Sequence, residues 1–377
     1  MQISDVPTPA LILDRGVLTR NCVAMAERMK HHNVRLRPHL KTAKSAEIAA
    51  LATAGQFGGI TVSTLAEARY FVEHGYSDIT YAVGIVPSKL DEVAELQRSG
   101  AQITLLTDNL DAVAAAADRA AAINTVFHLL IEIDTGGGRA GLPPDSSGLI
   151  DIGRAIESAP GLSLEGVLTH AGHSYHCKSV AEVRTVAEAE RVGITLAAQR
   201  LREAGLPCRE VSAGSTPTAV LADRLDGVTE MRPGAYVFFD LDQVGIGVCT
   251  LEDIAVTVLA TVIGHNRQTK RVLIDAGALA LSKDLSAGEF MSNVGYGLVC
   301  PMDSTHPYPG LYVAETYQEH GLIAASVGEP PYDSLPLGTK VRILPNHACI
   351  TAAAHSTYHV TDGGMEVTER WGRVNGW

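Results

Sequence analysis

Between Val34 and Arg232 the chain alternates eight times between a short β-rich run and, for the most part, an Ala-rich amphipathic run, and this rhythm limits its fold more than any other feature. The expected strands are Val34–Arg37, Gly59–Ser63, Ile79–Val83, Gln102–Leu106, Val126–Ile133, Leu164–His170, Arg209–Ala213 and Gly227–Arg232. Segments between them, such as Thr64–His74 and Ser88–Arg98, place apolar residues at helical spacing. Apolar strands separated by helices predict a parallel sheet covered on its outer face. Eight such units in about 200 residues match the size of a TIM barrel, the (β/α)8 fold. An open doubly wound sheet is the competing architecture, because strand count alone does not demonstrate closure.

Past residue 245 the rhythm changes. Strands are expected at Val256–Ile263, Lys270–Asp275, Lys340–Leu344, Thr357–Val360 and Met365–Arg370, punctuated by Gly and Pro and without long helices between them. That pattern predicts a mostly antiparallel β domain. Pro9–Asp14 reads as a further strand, followed by a helix with Leu18, Cys22, Met25 and Met29 on one face. Ala287–Pro309 is turn-rich and reads as an irregular loop. The expected division is a barrel over 15–243 and a β domain formed by 1–14 with 244–377.

Charge narrows the partners. The 377 residues hold 30 Lys and Arg against 42 Asp and Glu, a net charge of −12, with no basic stripe to follow a phosphate backbone. Nucleic acid is therefore not an expected partner. The longest apolar stretch, Ile254–Ile263, is well short of the roughly 20 residues that span a bilayer. No membrane partner is expected, and the first residues lack the basic-then-apolar pattern of a secretory leader. Six cysteines are scattered without a Cys-x-x-Cys, which suits reduced thiols in a cytoplasmic protein.

Three clusters of reactive side chains follow expected barrel strands, where TIM-barrel sites lie. In Arg37-Pro38-His39-Leu40-Lys41-Thr42-Ala43-Lys44, a lysine just past a strand end could sit partly desolvated and form a Schiff base; a surface lysine beside a helix start is the plainer reading. Asp134-Thr135-Gly136-Gly137-Gly138-Arg139 offers a backbone that can approach a ligand and a guanidinium for an anion, or else a flexible connector. Thr169-His170-Ala171-Gly172-His173-Ser174-Tyr175-His176 could serve a metal or acid–base chemistry, or make ordinary polar contacts.

Gly214-Ser215-Thr216-Pro217 and Arg232-Pro233-Gly234-Ala235-Tyr236 both leave strands with Gly and small or hydroxyl residues. After the seventh and eighth strands of a barrel, such turns suit a phosphate cup. In the β domain, His347 and Cys349 would project to one face of an extended strand and could share a metal ion. A buried thiol beside a hydrogen-bonded histidine explains the same pair. Gln318-Glu319-His320-Gly321 adds a polar turn of no specific chemistry.

In this order these motifs resemble the D-serine dehydratase and D-threonine aldolase family, pyridoxal-phosphate enzymes on the alanine-racemase type of fold (fold type III). The resemblance extends from Thr8-Pro9-Ala10 to Gly376-Trp377, and it is closest to the dehydratases of D-serine and D-threo-3-hydroxyaspartate. The aldolases carry an aspartate where Cys349 stands. Many D-serine dehydratases have histidine at the position of Ala43, and that departure leaves the substrate open.

What the resemblance implies is specific. Lys41 would hold pyridoxal 5'-phosphate as a Schiff base and, once freed, remove the Cα proton. Ser215, Thr216, Gly234 and Ala235 would hold the phosphate, with Tyr236 nearby. Tyr175 would lie at the ring or the reacting carbon, and Arg139 would orient the ring or a substrate carboxylate. His347 and Cys349 would bind a divalent metal, zinc ahead of manganese or magnesium.

The implied reaction eliminates water from a β-hydroxy-D-amino acid (D-serine, D-threonine or D-threo-3-hydroxyaspartate) to give a 2-oxo acid and ammonia, in a homodimer. Retro-aldol cleavage to glycine and an aldehyde is the nearest alternative, and a non-catalytic cofactor-binding protein a more distant one. A racemase would leave the His-x-Cys pair without a task, and a metal hydrolase on the barrel would carry no such cofactor.

Overall fold

A computed structural model describes residues 1–377 and divides them into two compact units, 24–234 with 376–377, and 1–23 with 235–375. The division falls inside the helix Arg15–His31 and between Gly234 and Ala235, whereas sequence patterning places the boundaries at 14/15 and 243/244.

The strand before the first unit, β1, is Ala10–Asp14. Within that unit β2 is Arg35–Leu36, β3 Ile60–Val62, β4 Asp78–Gly84, β5 Gln102–Thr107, β6 Phe127–Ile133, β7 Leu162–Thr169, β8 Glu210–Ala213 and β9 Glu230–Met231. All eight lie where the sequence rhythm puts them, and neighbouring strands all pair in parallel in the order β2-β9-β8-β7-β6-β5-β4-β3. A parallel bridge between His39 and Thr61 joins the two ends. There Leu40 N–H donates to Thr61 O at 2.8 Å and Thr61 N–H to Pro38 O at 2.9 Å. The sheet is thus a closed barrel and not a doubly wound sheet.

Local chemistry starts the covering helices. Thr64 caps Leu65–Glu73 by accepting from Glu67 N–H, Asn109 caps Leu110–Ile123, and Ser179 caps Val180–Glu203 by accepting from Glu182 N–H. Inside the barrel Leu106, Leu130 and Leu168 form an apolar layer with Ala82 against it. Leu168 and Ala82 also border the cavity described below, so this layer is its floor.

The second unit contains β1 and eight further strands: β10 Val256–Asn266, β11 Arg271–Ile274, β12 Leu298–Pro301, β13 Leu311–Thr316, β14 Gly321–Ala325, β15 Lys340–Leu344, β16 Thr357–Thr361 and β17 Glu369–Gly372. The long strand β10 pairs with β11, β15 and β1, which closes β11-β14-β13-β12-β15-β10 into a six-stranded antiparallel barrel. β1 continues the sheet from β10 and pairs in parallel with β16. No helix in the chain is long and apolar enough to cross a membrane.

Two expectations are corrected here. The loop expected at Ala287–Pro309 contains β12, which lies between β13 and β15. The strand expected at Met365–Arg370 begins at Glu369, because residues 365–367 bond to the start of the chain instead: Ile3 N–H donates to Met365 O at 2.8 Å and Val367 N–H to Met1 O at 2.7 Å.

Candidate active site

A cavity of about 250 Å³ opens beyond the C-terminal ends of the barrel strands, and its wall includes Lys41, His39, Glu132, Arg139, His170, Gly214 and Arg232. The motif after β2 offers two lysines, and the structure separates them. Lys44, in a left-handed conformation (φ +49°), places its Nζ 3.1 Å from the buried carboxylate of Glu67. Lys41 is the lysine on the cavity wall.

Arg139 reaches the wall from a loop built around a carboxylate. Asp134 Oδ1 accepts the N–H groups of Gly136, Gly137 and Gly138 at 2.9, 2.8 and 3.1 Å. Gly136 and Gly138 have φ of +119° and +64°, values that disfavour any side chain. The far end is held by Asp108, whose Oδ2 accepts Gly141 N–H at 2.8 Å.

Arg232 is the most constrained group on the wall, at 4% exposure. Its Nη1 donates to Ser212 Oγ at 2.5 Å and its Nη2 to Thr169 O at 2.5 Å. Its Nε is buried without a hydrogen-bond partner. Burial lowers the pKa to about 10 against the opposing charges of Glu230 and Glu190. A buried donor left unpaired is costly, so an acceptor bound in the cavity would satisfy it. The nitrogen of a heteroaromatic ring is such an acceptor, and the residues present therefore fit pyridoxal phosphate.

The neighbouring histidines are neutral. Burial, then the charge of Lys41, brings His170 down to about 3, and burial holds His39 well below the ordinary imidazole value. His170 donates Nδ1–H to Gly214 O at 3.0 Å. Burial raises the pKa of Glu132, with Arg139 opposing.

The structure also joins Tyr175 to the expected phosphate cup. Thr216 N–H donates to Tyr175 Oη at 3.3 Å, and Ser215 Oγ lies 2.8 Å from Ser174 Oγ while accepting Thr218 N–H at 3.2 Å. Gly234 is held to glycine by His39, whose carbonyl oxygen would lie 2.8 Å from an added Cβ. Ala235 and Tyr236 fall in the second unit as a buried 3-10 turn, Ala235–Val237, and burial pushes the Tyr236 phenol well up.

His347 and Cys349 require a correction. β15 ends at Leu344, and His347 is the residue before a short helix, Ala348–Ala353, so the pair does not share the face of a strand. The first turn of the helix brings the two side chains into hydrogen-bond contact. Asp240 produces the turn, since its Oδ2 accepts Ala348 N–H at 2.9 Å. His347 Nδ1 lies 2.8 Å from Asp284 Oδ2. Burial alone would lower the pKa of this imidazole; Asp284, Cys349 and Asp240 outweigh it and push it up to about 11.

Such anion-rich surroundings favour a cation, and a histidine whose second nitrogen is held by a carboxylate is the usual form of a metal ligand. No group of three His, Cys, Asp or Glu side chains in the chain is arranged to hold a metal. An ion on this pair would complete its coordination with water or substrate, as open catalytic sites do. The run His170, His173 and His176 forms no metal cluster either: His173 packs on Gly136 and Gly137. His320 lies in the turn between β13 and β14.

Sequence reasoning did not single out Arg232, His39, Glu132 or Glu190. Arg232 had a signal, an arginine directly after the last barrel strand, but its burial and its free Nε are properties of the folded chain.

Barrel, cavity and β unit together define an alanine-racemase-type enzyme of the pyridoxal-phosphate class. Residues 13–242 match the alanine racemase N-terminal domain, and residues 255–361 match the serine dehydratase domain. The chain belongs to the D-serine dehydratase-like family built on that fold. It is 44% identical to the D-threo-3-hydroxyaspartate dehydratase of Delftia sp. (strain HT23), over 98% of both chains. It is 31% identical to the D-serine dehydratase of Dictyostelium discoideum, over 97% of this chain and 96% of that one. Among solved structures, a cysteine-to-alanine variant of D-threo-3-hydroxyaspartate dehydratase in its metal-free form superposes with a TM-score of 0.96 at 43% identity, covering both chains fully. A histidine-to-alanine variant of that enzyme also superposes with a TM-score of 0.96. Its substituted histidine precedes that cysteine by two residues, the spacing of His347 and Cys349.

Proposed function

We propose that the protein is a pyridoxal-phosphate- and divalent-metal-dependent dehydratase. It eliminates water from a β-hydroxy-D-amino acid of the D-threo-3-hydroxyaspartate and D-serine class to give a 2-oxo acid and ammonia. The observation that carries the reading is Arg232: a buried guanidinium on the same wall as Lys41 whose Nε is left for a ring nitrogen. Whole-length similarity to two dehydratases supports the choice of reaction.

When bound, the cofactor supplies an electron sink for charge at the substrate Cα. Lys41 would carry it and, once released, take the Cα proton on its amine. Ser215, Thr216, Gly234 and Ala235 would hold the phosphate, with Tyr236 and Tyr175 beside them. Arg139, on the cavity wall, would orient the cofactor ring or a substrate carboxylate. His170 and His39 are neutral and add no charge to a wall that already holds Lys41, Arg139 and Arg232.

Hydroxide is a poor leaving group, and His347 with Cys349 would hold an ion whose Lewis acidity helps it depart. A thiolate ligand favours zinc over magnesium. The reading extends to a cytoplasmic homodimer; none of the six cysteines is joined in a disulfide, as suits a reducing compartment.

The test is product analysis with D-threo-3-hydroxyaspartate and with D-serine, with and without chelator. Ammonia and the 2-oxo acid, formed only with metal, support the reading. Glycine with an aldehyde would assign the chain to the aldolases. Protein that stays colourless after incubation with pyridoxal phosphate would remove the cofactor from the account.

A further inference from the structure

The helix Val180–Glu203 covers the barrel from outside, yet its Glu190 is only 2% exposed. Its Oε1 accepts two backbone donors, Ala171 N–H at 2.9 Å and Gly214 N–H at 3.0 Å. The side chain of Thr218 bonds to the same carboxylate. Ala171 and Gly214 stand in the loops after β7 and β8, which are adjacent in the barrel. Burial is costly for this carboxyl and raises its pKa, and the bonds from Thr218 and from two amides on different loops offset part of that cost.

Those loops carry the groups on which the cofactor reading depends. His170 precedes Ala171 and donates Nδ1–H to Gly214 O, so the loops are joined directly here and again through Glu190. Ser215 and Thr216 follow Gly214, and Ser174 and Tyr175 of the other loop bond to them. Gly214 itself has φ +113° and lies close to Arg232, whose N would be 3.1 Å from an added Cβ. With no side chain to lock it, this glycine takes its orientation from the bonds to its amide and carbonyl.

We infer that Glu190 is a positioning residue that clamps the loops after β7 and β8 together and thereby sets the phosphate grip of Ser215 and Thr216. The inference rests on the reading of that cup as the site of the cofactor phosphate. Glu190 touches no reacting atom in this scheme; it acts through Ala171 and Gly214.

A phosphate-specific measurement tests it. The full chain is reconstituted with pyridoxal 5'-phosphate or with pyridoxal, and the two dissociation constants are read from visible absorbance. Wild type prefers the phosphorylated form. Glu190→Ala lowers that preference by about tenfold or more, the scale of leaving buried amide donors without an acceptor. Glu190→Gln keeps it within about twofold, because its Oε1 still accepts both amides.

Glu190→Asp keeps the charge but is too short to span both donors, so it loses part of the preference; it serves if the alanine variant does not fold. An unchanged preference in Glu190→Asp or in a folded Glu190→Ala overturns the inference. So does a loss in Glu190→Gln as large as in Glu190→Ala, which would assign the effect to charge. Wild-type protein that binds the two forms equally overturns the phosphate reading itself, and the inference with it.

Discussion

His347 directs its Nδ1 at a carboxylate oxygen of Asp284, 2.8 Å away, although 63 positions separate them in the chain. Asp284 is held in turn, its Oδ1 accepting Ser286 N–H at 2.8 Å. A carboxylate on one imidazole nitrogen fixes the ring's orientation and raises the basicity of the other nitrogen, which is how second partners tune metal sites.

Replacing Asp284 with Asn is therefore expected to weaken divalent-metal binding about 10- to 100-fold. Competition between apo-protein and a chromogenic chelator measures this directly. The visible band of the bound cofactor should be unaffected. Unchanged metal affinity would show that Asp284 is a structural neighbour only.

A second buried pair bears on stability. Arg37 Nε lies 2.7 Å from Glu230 Oε2, and the two side chains are 7% and 1% exposed. Burial would raise the Glu230 pKa, but the charge of Arg37 and the bonds from Ser212 and Arg37 outweigh it and hold it below the ordinary value. A carboxyl depressed in the folded state contributes stability above its unfolded pKa of about 4.3, and that contribution is lost as pH falls through the folded value. Arg37→Met removes the cation and leaves a buried charge with less compensation, a loss of about 3–5 kcal/mol at pH 7. Urea denaturation should show this difference and show it narrowing as pH falls, because without Arg37 burial favours the protonated form of Glu230.

The two lysines after β2 yield a contrast. Lys41→Ala should abolish the visible band that pyridoxal phosphate gives when joined to a lysine. Lys44→Ala should retain the band, because the Lys44 ammonium is taken up by Glu67. Its cost falls on stability, since Glu67 is 1% exposed and also accepts Ser63 N–H at 2.9 Å. Absorption spectra of the two variants after incubation with cofactor decide the matter.

What was legible in the sequence follows from how each element is buried. β2 to β9 read clearly because parallel strands covered on both faces are runs of apolar residues. β13 and β14 did not, since the pairing shifts between Val313 and Glu315 and so breaks the two-residue period. The displacement of β17 was hidden because it depends on Met1 and Ile3, at the opposite end of the chain. His347 reads as strand in isolation; Asp240 turns it into a helix start through a bond across 108 positions. Lys41 and Arg139 were visible as motifs after strands. Glu190 was not, because nothing in an amphipathic helix distinguishes a glutamate facing the barrel from one facing water.

His170 offers a test by pH. Its pKa falls to about 3, chiefly through burial and then through the charge of Lys41, while an unfolded histidine titrates near 6.5. For a base depressed in the folded state, the unfolded chain binds the extra proton between those values. The His170 contribution is therefore fully present above about pH 6.5 and is lost as pH falls toward the folded value. His170→Gln can keep a donor to Gly214 O without a titrating group. Between pH 6 and 4 its stability should fall less steeply than that of wild type, by up to one proton's worth, about 1.4 kcal/mol per pH unit. Urea midpoints in cofactor-free protein across that range measure the slope. Parallel profiles would mean that His170 titrates normally, and so carries a positive charge into the cavity at mildly acid pH.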